Sequence, residues 1–281
     1  YPEFVHELED ESGTRVDLRT EGTLELLDDK EPWPTHAGVR ALERGELARL
    51  EPSLPERRAV SVAEASVDPA ALCIALERAA KHRAIDLVTG SPVTALDLDG
   101  GRIAGVRTAR ADYHAPIVVN CCGAWAIDVP GYRVPTKPVK GHMLSLVGGP
   151  ALRHVVRVPK SLYLVPRSDG RLLVGSTLED AGFDKRVVPE TIQRLHQGAA
   201  NLIPELGECK MLEAWTGLRP GTPDELPIMG KTSIGGYFVA TGHYRDGILL
   251  APITARVMAD RITGVWSTFD LVPFSPDRFA P

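Results

Sequence analysis

The chain has 281 residues, of which 43% are hydrophobic, and its formal net charge is −5. A chain of this length can bury one large core or two smaller ones, and the lack of a basic block argues against a nucleic-acid partner. No stretch approaches the roughly 20 apolar residues of a membrane span, so we expect no membrane span.

The first part of the chain alternates between helical and strand-like patterns. Asp68 followed by Pro69 is the clearest helix start, because an aspartate caps free N–H groups and proline suits the first helical position. Gly13 and Pro52 are typical of helix ends. The sequence predicts, in chain order, a helix over 1–12, a strand over 23–26, a second short helix over 39–51 and a helix over 69–82.

The second part combines strands with an amphipathic helix and a closing strand–helix unit. Ser168, Asp169 and Gly170 predict a tight turn between two strands. The predicted elements are strands over 85–109 with a turn at 99–100, a buried strand over 117–121, antiparallel strands over 138–146, 161–167 and 171–177, a helix over 190–205, a strand over 237–241 and a long final helix. This mixture indicates two domains that are interleaved in sequence rather than arranged in tandem.

Four cysteines lack the spacing of a zinc site, which argues against a bound metal. Cys121 and Cys122 are adjacent and could form a strained vicinal disulfide, but we expect small buried thiols instead. Free thiols are typical of a reducing compartment. The sequence therefore predicts a cytoplasmic protein.

Residues 240–250, which read ATGHYRDGILL, join a strand to a helix through polar residues that offer little to a core. A helix N-terminus presents unpaired N–H groups, and α/β proteins hold ligands at such strand-to-helix turns. The alternative is an ordinary connection in which Gly247 only marks the turn.

A dinucleotide-binding fingerprint, G-x-G-x-x-G after a strand, does not occur in these 281 residues. The segment LPIMGKTS ends like a phosphate-binding loop, but position 225, where that motif requires glycine, is Glu225. Neither G-x-S-x-G nor H-E-x-x-H is present. Taken alone, these absences argue against a dinucleotide site.

Seven segments in order nevertheless resemble the FAD-dependent amine and amino-acid oxidase family of the D-amino-acid oxidase and glycine oxidase type, and within it most closely the glycine oxidases. They are YPEFVHELEDESG, TGSPVTAL, VVNCCGAWA, PVKGHML, YLVPRSDGRLLVGST, WTGLRPGTPDELPIMG and GHYRDGILLAP. Complete members of the family carry the glycine fingerprint in an N-terminal βαβ unit, and we expect that unit to be missing from this chain.

The resemblance implies an α/β fold in which a partial, Rossmann-like FAD-binding domain is interleaved with an antiparallel-sheet α+β substrate domain. The substrate domain would comprise residues 1–60 and 134–214. The remaining part of the FAD-binding domain would comprise residues 61–133 and 215–281.

For the flavin, the resemblance implies that the last strand–turn–helix closes over the ring. Backbone N–H groups of Gly247, Ile248 and Leu249 would face its pyrimidine edge, where the helix dipole stabilises negative charge. Arg245 and Asp246 belong to the same cofactor-binding turn. We expect non-covalent FAD, because the WTGLRPG segment has no cysteine of the kind that sarcosine oxidases use for attachment.

For the adenosine and diphosphate half of FAD, Val93 would contact the adenine through its backbone. Cys122, Gly123 and Trp125 would border the diphosphate or the ribose. Val93 has the alternative of being a plain strand residue.

For the substrate, Arg219 would bind the carboxylate, because a guanidinium offers two parallel donors. Its alternative role is an internal salt bridge to Asp224. The Tyr163 hydroxyl would bond the same carboxylate, unless the ring is only a packed strand aromatic. Arg245 would contact the carboxylate or brace the flavin turn.

Two positions depart from close glycine oxidases, which have His where this chain has Ser161 and Met where it has Leu178. We expect these changes to alter the pocket volume.

The implied reaction converts glycine or another small amino acid, with oxygen, to the 2-oxo acid, ammonia and hydrogen peroxide. For glycine the product would be glyoxylate, formed for thiamine synthesis. The alternatives are a related FAD-dependent amino-acid dehydrogenase and a catalytically silent fragment unable to bind FAD. A homo-oligomer is also compatible with the sequence.

Overall fold

The computed structural model describes residues 1–28, 30, 32–35, 37–266 and 268–279. The α-helices are α1 (Pro2–Ser12), α2 (Glu46–Leu50), α3 (Pro69–His82), α4 (Pro189–Leu202) and α5 (Gly247–Thr263). The strands are β1 (Leu18–Arg19), β2 (Thr23–Leu26), β3 (Val39–Ala41), β4 (Ala59–Val62), β5 (Ser66–Val67), β6 (Val93–Asp99), β7 (Arg102–Thr108), β8 (Asp112–His114), β9 (Val118–Asn120), β10 (Lys137–Val147), β11 (Val155–Val158), β12 (Leu162–Pro166), β13 (Leu172–Gly175), β14 (Lys210–Gly221), β15 (Ile228–Lys231) and β16 (Tyr237–Thr241). Short 3-10 helices cover Gly123–Asp128, Pro204–Glu208, Val272–Phe274 and Pro276–Phe279.

An eight-stranded sheet carries the largest core. Its order is β14–β10–β13–β12–β11–β2–β4–β3, and every neighbouring pair is antiparallel except β11 with β2. Ile192, Leu195 and Ala199 recur at helical spacing on α4 and share one buried cluster with the strand residues Leu144 and Leu164. Since successive strand residues face opposite sides, the residues between those buried leucines point to the other face of the sheet.

A smaller sheet has the parallel pairing of an α/β unit. Strand β16 pairs in parallel with β9, with Tyr237 opposite Val118, and β15 pairs antiparallel with β16. The ends of β9 and β16 lead into the 3-10 helix at Gly123 and into the turn before α5, and the Thr241 hydroxyl donates to the Gly123 carbonyl at 2.9 Å. In open α/β sheets this end of the strands binds ligands.

Helices α1 and α3 pack on each other through Val5, Leu8, Leu72, Ala75 and Ala79. Helix α3 begins as predicted, with Asp68 as N-cap and Pro69 as first residue. The Asp68 carboxylate accepts hydrogen bonds from the N–H groups of Ala70 (2.9 Å) and Ala71 (3.3 Å) and from Arg171 (3.0 Å). Because Arg171 follows the β12–β13 turn, this carboxylate joins the large sheet to α3.

The predicted helix over 39–51 is wrong in its first half. Residues 39–41 form β3 and pair with β4, and only residues 46–50 are helical. Gly45 lies between the two elements with φ 76°, a left-handed conformation that separates them.

The expectation of buried thiols is also wrong. Cys73, Cys121 and Cys122 are exposed, Cys209 is half-buried, and all four are free. Strand β9 ends at Asn120, so the two adjacent cysteines lie beyond the sheet.

None of the helices in the described ranges combines the length and the apolar character that crossing a membrane requires. Within the same ranges, no three His, Cys, Asp or Glu side chains are grouped to hold a metal ion. The domain boundaries stay a prediction.

Replacing Asp68 with alanine is expected to lower the free energy of unfolding by about 1–2 kcal/mol, because the first turn of α3 loses its cap. The matched variant Asp68→Asn keeps a capping oxygen and loses only the ion pair to Arg171, so its free energy of unfolding should fall by less. Urea unfolding of both variants measures the difference. An Asp68→Ala protein with the wild-type midpoint would contradict this assignment.

Candidate active site

A cavity of about 1060 Å³ lies against β10, β12 and β14 and reaches the first residues of α5. Six of the predicted site residues line it, namely Tyr163, Arg219, Arg245, Gly247, Ile248 and Leu249. The structure therefore brings the predicted carboxylate-binding residues and the predicted flavin-binding turn into one space.

Arg219 is half-buried on β14, and its guanidinium is held by neutral groups. Nη1 donates to the carbonyl of Thr177 at 3.2 Å, and Nη2 donates to the hydroxyl of Ser176 at 2.8 Å. No acidic side chain among the described residues pairs with Arg219. Asp224, the alternative partner, is bonded instead to Arg278 at 2.8 Å, which lowers the pKa of the Asp224 carboxyl to about 2. Arg219 thus keeps an uncompensated positive charge and further N–H donors on the cavity wall.

The segment that holds Arg219 is itself fixed by the buried side chain of His142. The His142 Nε2 accepts from the Val188 N–H at 3.1 Å, so the ring proton is on Nδ1, which lies 2.9 Å from the Glu179 carboxylate. The backbone N–H of His142 donates to the Thr177 hydroxyl at 2.9 Å. These bonds prevent the Thr177 carbonyl from drifting away from Arg219.

Tyr163 faces the cavity because β12 alternates between the two faces of the sheet. Leu162 and Leu164 are buried on the α4 side, whereas Tyr163 and Val165 line the cavity. The Tyr163 hydroxyl lies 3.7 Å from the Met143 sulfur, a weak acceptor. A stronger acceptor that enters the cavity can therefore receive the hydrogen bond of this hydroxyl.

The turn before α5 is tied to the strand that carries Arg219. The Tyr244 N–H donates to the Pro220 carbonyl at 3.0 Å, and the Asp246 N–H donates to the His243 carbonyl at 2.8 Å. Helix α5 then starts at Gly247. Across the described part of the chain, the N–H groups of residues 247–249 have no acceptor, as expected for a first helical turn.

The residues predicted for the other half of the cofactor lie elsewhere. Val93 begins β6 and packs at the edge of the cluster formed by β7, β9 and β16. Cys122 and Gly123 follow β9, and Trp125 is exposed beside Phe183, with 5.7 Å between ring centres. Asp246 is exposed at the start of α5 and does not line the cavity. The sequence-predicted residues therefore form two groups, and Thr241 joins them through its bond to Gly123.

Among the cavity residues that the sequence did not predict, Arg167 and Tyr1 carry polar groups with notable hydrogen bonding. Arg167 is buried, and its Nε and Nη1 have no hydrogen-bond partner in the described ranges, while Nη2 donates to the Val67 carbonyl at 3.0 Å. Its burial lowers the pKa of the guanidinium. Tyr1 also lines the cavity and donates from its hydroxyl to the Ile248 carbonyl at 3.0 Å. The two-residue period of β12 from Tyr163 would have indicated Arg167, whereas no local pattern indicates Tyr1.

Neither of the two residues that depart from the glycine oxidases lines the large cavity, and the expected difference in pocket volume stays a prediction. Ser161 is exposed before β12, and Leu178 lines a separate space of about 200 Å³ that also contacts Tyr244. The segment after β13 turns away from the cavity at Thr177, whose carbonyl faces Arg219.

Comparison with known proteins matches residues 1–261 to the family described as FAD dependent oxidoreductase. The hydrogen cyanide synthase subunit HcnC of Pseudomonas aeruginosa is 35% identical over 302 aligned positions, which cover 100% of this chain and 72% of that protein. The glycine oxidase of the same organism is 37% identical over 182 positions, which cover 63% of this chain and 50% of that protein.

The fold is also that of a solved glycine oxidase. The crystal structure of glycine oxidase from Geobacillus kaustophilus superposes with a TM-score of 0.90 at 30% identity, covering 100% of this chain and 80% of that one. The predicted α/β fold class is confirmed by this agreement.

The turn beside the cavity is expected to respond to pH through His243, because partial burial lowers the pKa of its imidazole and Asp246 opposes this only in part. The folded protein then binds the proton less tightly than the unfolded chain, whose pKa is about 6.5. The stability from neutral His243 is therefore complete above about pH 6.5 and is lost as the pH falls below it.

When the pH is lowered from about 7.5 to about 5.5, the Tm of His243→Gln should fall by less than the Tm of the wild type. Glutamine does not titrate and can still reach Thr254, whose hydroxyl lies 2.9 Å from the His243 Nε2. His6→Gln changes an exposed histidine on α1 and serves as control. Parallel pH profiles for wild type and His243→Gln would show that His243 contributes nothing to this dependence.

Proposed function

Since the chain belongs to the family of FAD dependent oxidoreductases, we propose that it catalyses the oxidative deamination of glycine or another small amino acid. The products would be the 2-oxo acid, ammonia and hydrogen peroxide. The observation that carries the proposal is an arginine without an acidic partner, Arg219, in the same cavity as the unpaired N–H groups of α5. The chain spans 72% of the first relative and half of the second, so the activity of the whole protein is part of the proposal.

The residues present fit the ring system of FAD. The cavity of about 1060 Å³ exceeds what a small amino acid needs. Gly247, Ile248 and Leu249 offer it three backbone donors at the positive end of a 17-residue helix. Such donors stabilise negative charge on the pyrimidine edge. When bound, FAD would accept a hydride from the substrate Cα and pass the electrons to oxygen.

The protein's own contribution would be to bind and orient the substrate. Arg219 offers its remaining N–H donors to the carboxylate, and the Tyr163 hydroxyl bonds the same group, which fixes the direction of the Cα–H bond. Arg245 is exposed at the same cavity, and we assign it either to the carboxylate or to the flavin turn.

No protein base is required for this reaction. Among the described residues, the cavity lining includes no His, Asp or Lys, and its carboxylate, Glu64, is bonded to Arg157 at 2.7 Å and to Thr23. A substrate with a neutral amine can lose a hydride from Cα without one, and the imino acid formed then hydrolyses in water. Positioning by Arg219 and Tyr163 would therefore be the main catalytic effect.

The substrate assignment rests on the chemistry of the cavity wall and on the relatives. Arg219 and Tyr163 select a carboxylate, and the relatives that are glycine oxidases make glycine the first candidate. Cys122, Gly123, Trp125 and Asp246 are proposed for the rest of the cofactor because they follow the ends of the parallel strands β9 and β16. Val93, at the start of β6, is proposed for the same cofactor on the family resemblance. A role in thiamine synthesis and a location in the cytoplasm belong to the same proposal.

The activity is tested with purified protein supplied with FAD and a panel of small amino acids. Peroxide formed in air with glycine or a similar amino acid supports the oxidase. Reduction of a quinone or dye without peroxide would indicate a dehydrogenase instead. A protein that retains no flavin colour after gel filtration would show that this chain alone does not bind FAD.

Arg219→Lys is expected to lower kcat/KM for the amino acid by about 10- to 100-fold, because the planar, two-pronged donor is lost. Both kcat and KM should change, because Arg219 would bind the carboxylate and also orient the Cα–H bond. Arg157→Lys is a matched control, since Arg157 also lines the cavity but is already paired with Glu25 and Glu64. Steady-state kinetics of both variants provide the comparison, and equal losses would exclude a special role for Arg219.

A further inference from the structure

Two glycines in neighbouring strands lie directly beneath the two proposed carboxylate-binding side chains. Gly141 is on β10, where the Arg219 side chain crosses it from β14. Gly175 ends β13 and pairs with Tyr163 of β12 on one side and Met143 of β10 on the other. Both glycines are buried. A side chain at either position would stand between the sheet and a proposed binding residue.

At each glycine the three atoms nearest to an added Cβ belong to a single side chain. A Cβ added to Gly141 would lie 2.6 Å from Nη2 and 2.8 Å from Cζ of Arg219, and its three nearest atoms all belong to Arg219. A Cβ added to Gly175 would lie 2.8 Å from both Cζ and the hydroxyl oxygen of Tyr163. Real Cβ atoms do not approach other heavy atoms this closely, so each substitution would displace the functional end of the side chain.

The φ angles give no reason for these glycines. Neither Gly141 nor Gly175 has a positive φ, so alanine can adopt the φ of both positions. In strands a glycine interior to the sheet weakens packing and often marks a close approach by another group. At these two positions the approaching groups are the Arg219 guanidinium and the Tyr163 ring.

The positions of the two glycines also bring the Arg219 guanidinium and the Tyr163 hydroxyl near each other. Arg219 lies over Gly141, and the Tyr163 hydroxyl lies beside Met143, two residues further along β10. Two residues of a strand span roughly 7 Å. A carboxylate between these positions can be reached by both side chains.

We propose that Gly141 and Gly175 are positioning residues, which let Arg219 and Tyr163 lie flat on the sheet and thereby set the place where the substrate carboxylate binds. This inference rests on the proposed function. It assigns the specificity for a carboxylate to the sheet surface as well as to the two side chains that touch the substrate.

The test measures binding of glycolate, a carboxylate of the size of glycine with no amine to oxidise, by isothermal titration calorimetry on the full chain with FAD added. Gly141→Ala and Gly175→Ala are expected to weaken binding by at least about tenfold, the loss of one hydrogen bond to a charged group. Gly207→Ala is the control. Gly207 lies in the 3-10 helix Pro204–Glu208 and does not line the cavity, it has no positive φ, and its added Cβ would make an ordinary 3.5 Å contact with the Ala200 Cβ, so binding should change less than about twofold.

Two further measurements separate positioning from folding. Gly141→Ala should keep its Tm within about 3 °C of the wild type, because the atoms it meets are the end of a flexible side chain. Ser176→Ala adds no volume but removes the acceptor of Arg219 Nη2, and it should also weaken glycolate binding. In an Arg219→Lys background, Gly141→Ala should cause no additional loss, since the guanidinium it displaces is gone.

Equal binding by the three alanine-for-glycine variants, or a full additional loss in the Arg219→Lys background, would overturn the inference. A wild-type protein that binds glycolate but oxidises no amino acid would overturn the proposed reaction and leave the role of the glycines standing. A wild-type protein that binds no glycolate would overturn both.

Discussion

The uncompensated positive charge of Arg219 organises the candidate site. Arg219 is half-buried at the cavity wall, is bonded only to a carbonyl and a hydroxyl, and has no acidic partner among the described residues. A partly desolvated guanidinium with spare donors is costly unless an anion binds it. The nearest acid in sequence, Asp224, is held by Arg278 and cannot supply that anion. This arrangement supports the proposal that the cavity binds an anionic ligand from solution.

The surrounding structure keeps this charge next to the start of α5. The bond from the Tyr244 N–H to the Pro220 carbonyl fixes the turn before the helix against the strand that carries Arg219. On the other side, the buried His142 fixes the segment that supplies the Thr177 carbonyl. The donors proposed for a carboxylate and those proposed for a flavin are thus connected by backbone hydrogen bonds. A substrate bound at Arg219 would be held beside the ring by the backbone as much as by side chains.

Local patterns in the sequence predicted the elements that have strong chemical signals. Asp68 and Pro69 marked the start of α3, and Ser168–Gly170 marked the β12–β13 turn, because capping and turn chemistry are decided within a few residues. The boundary between β3 and α2 was missed. Residues 39–41 are a strand because they pair with β4, and no local sequence pattern shows that pairing.

Candidate site residues that lie within one recognisable motif could be predicted from the sequence, whereas contacts between distant residues could not. Arg219, Tyr163 and the α5 turn came from recognisable segments, and the cavity brings them together. The prediction that Cys121 and Cys122 are buried was wrong, because β9 ends at Asn120 and both cysteines lie beyond the sheet. The contact of Tyr1 with Ile248 joins residues 247 positions apart, and it depends on how α1 packs rather than on any sequence signal.

The most direct test of the account is a crystal structure of the protein with FAD and glycolate bound. The account predicts the glycolate carboxylate within about 3 Å of both the Arg219 guanidinium and the Tyr163 hydroxyl, beside a flavin ring that meets the first N–H groups of α5. A carboxylate bound instead to Arg167 or to Arg245 alone, with Arg219 uninvolved, would contradict it.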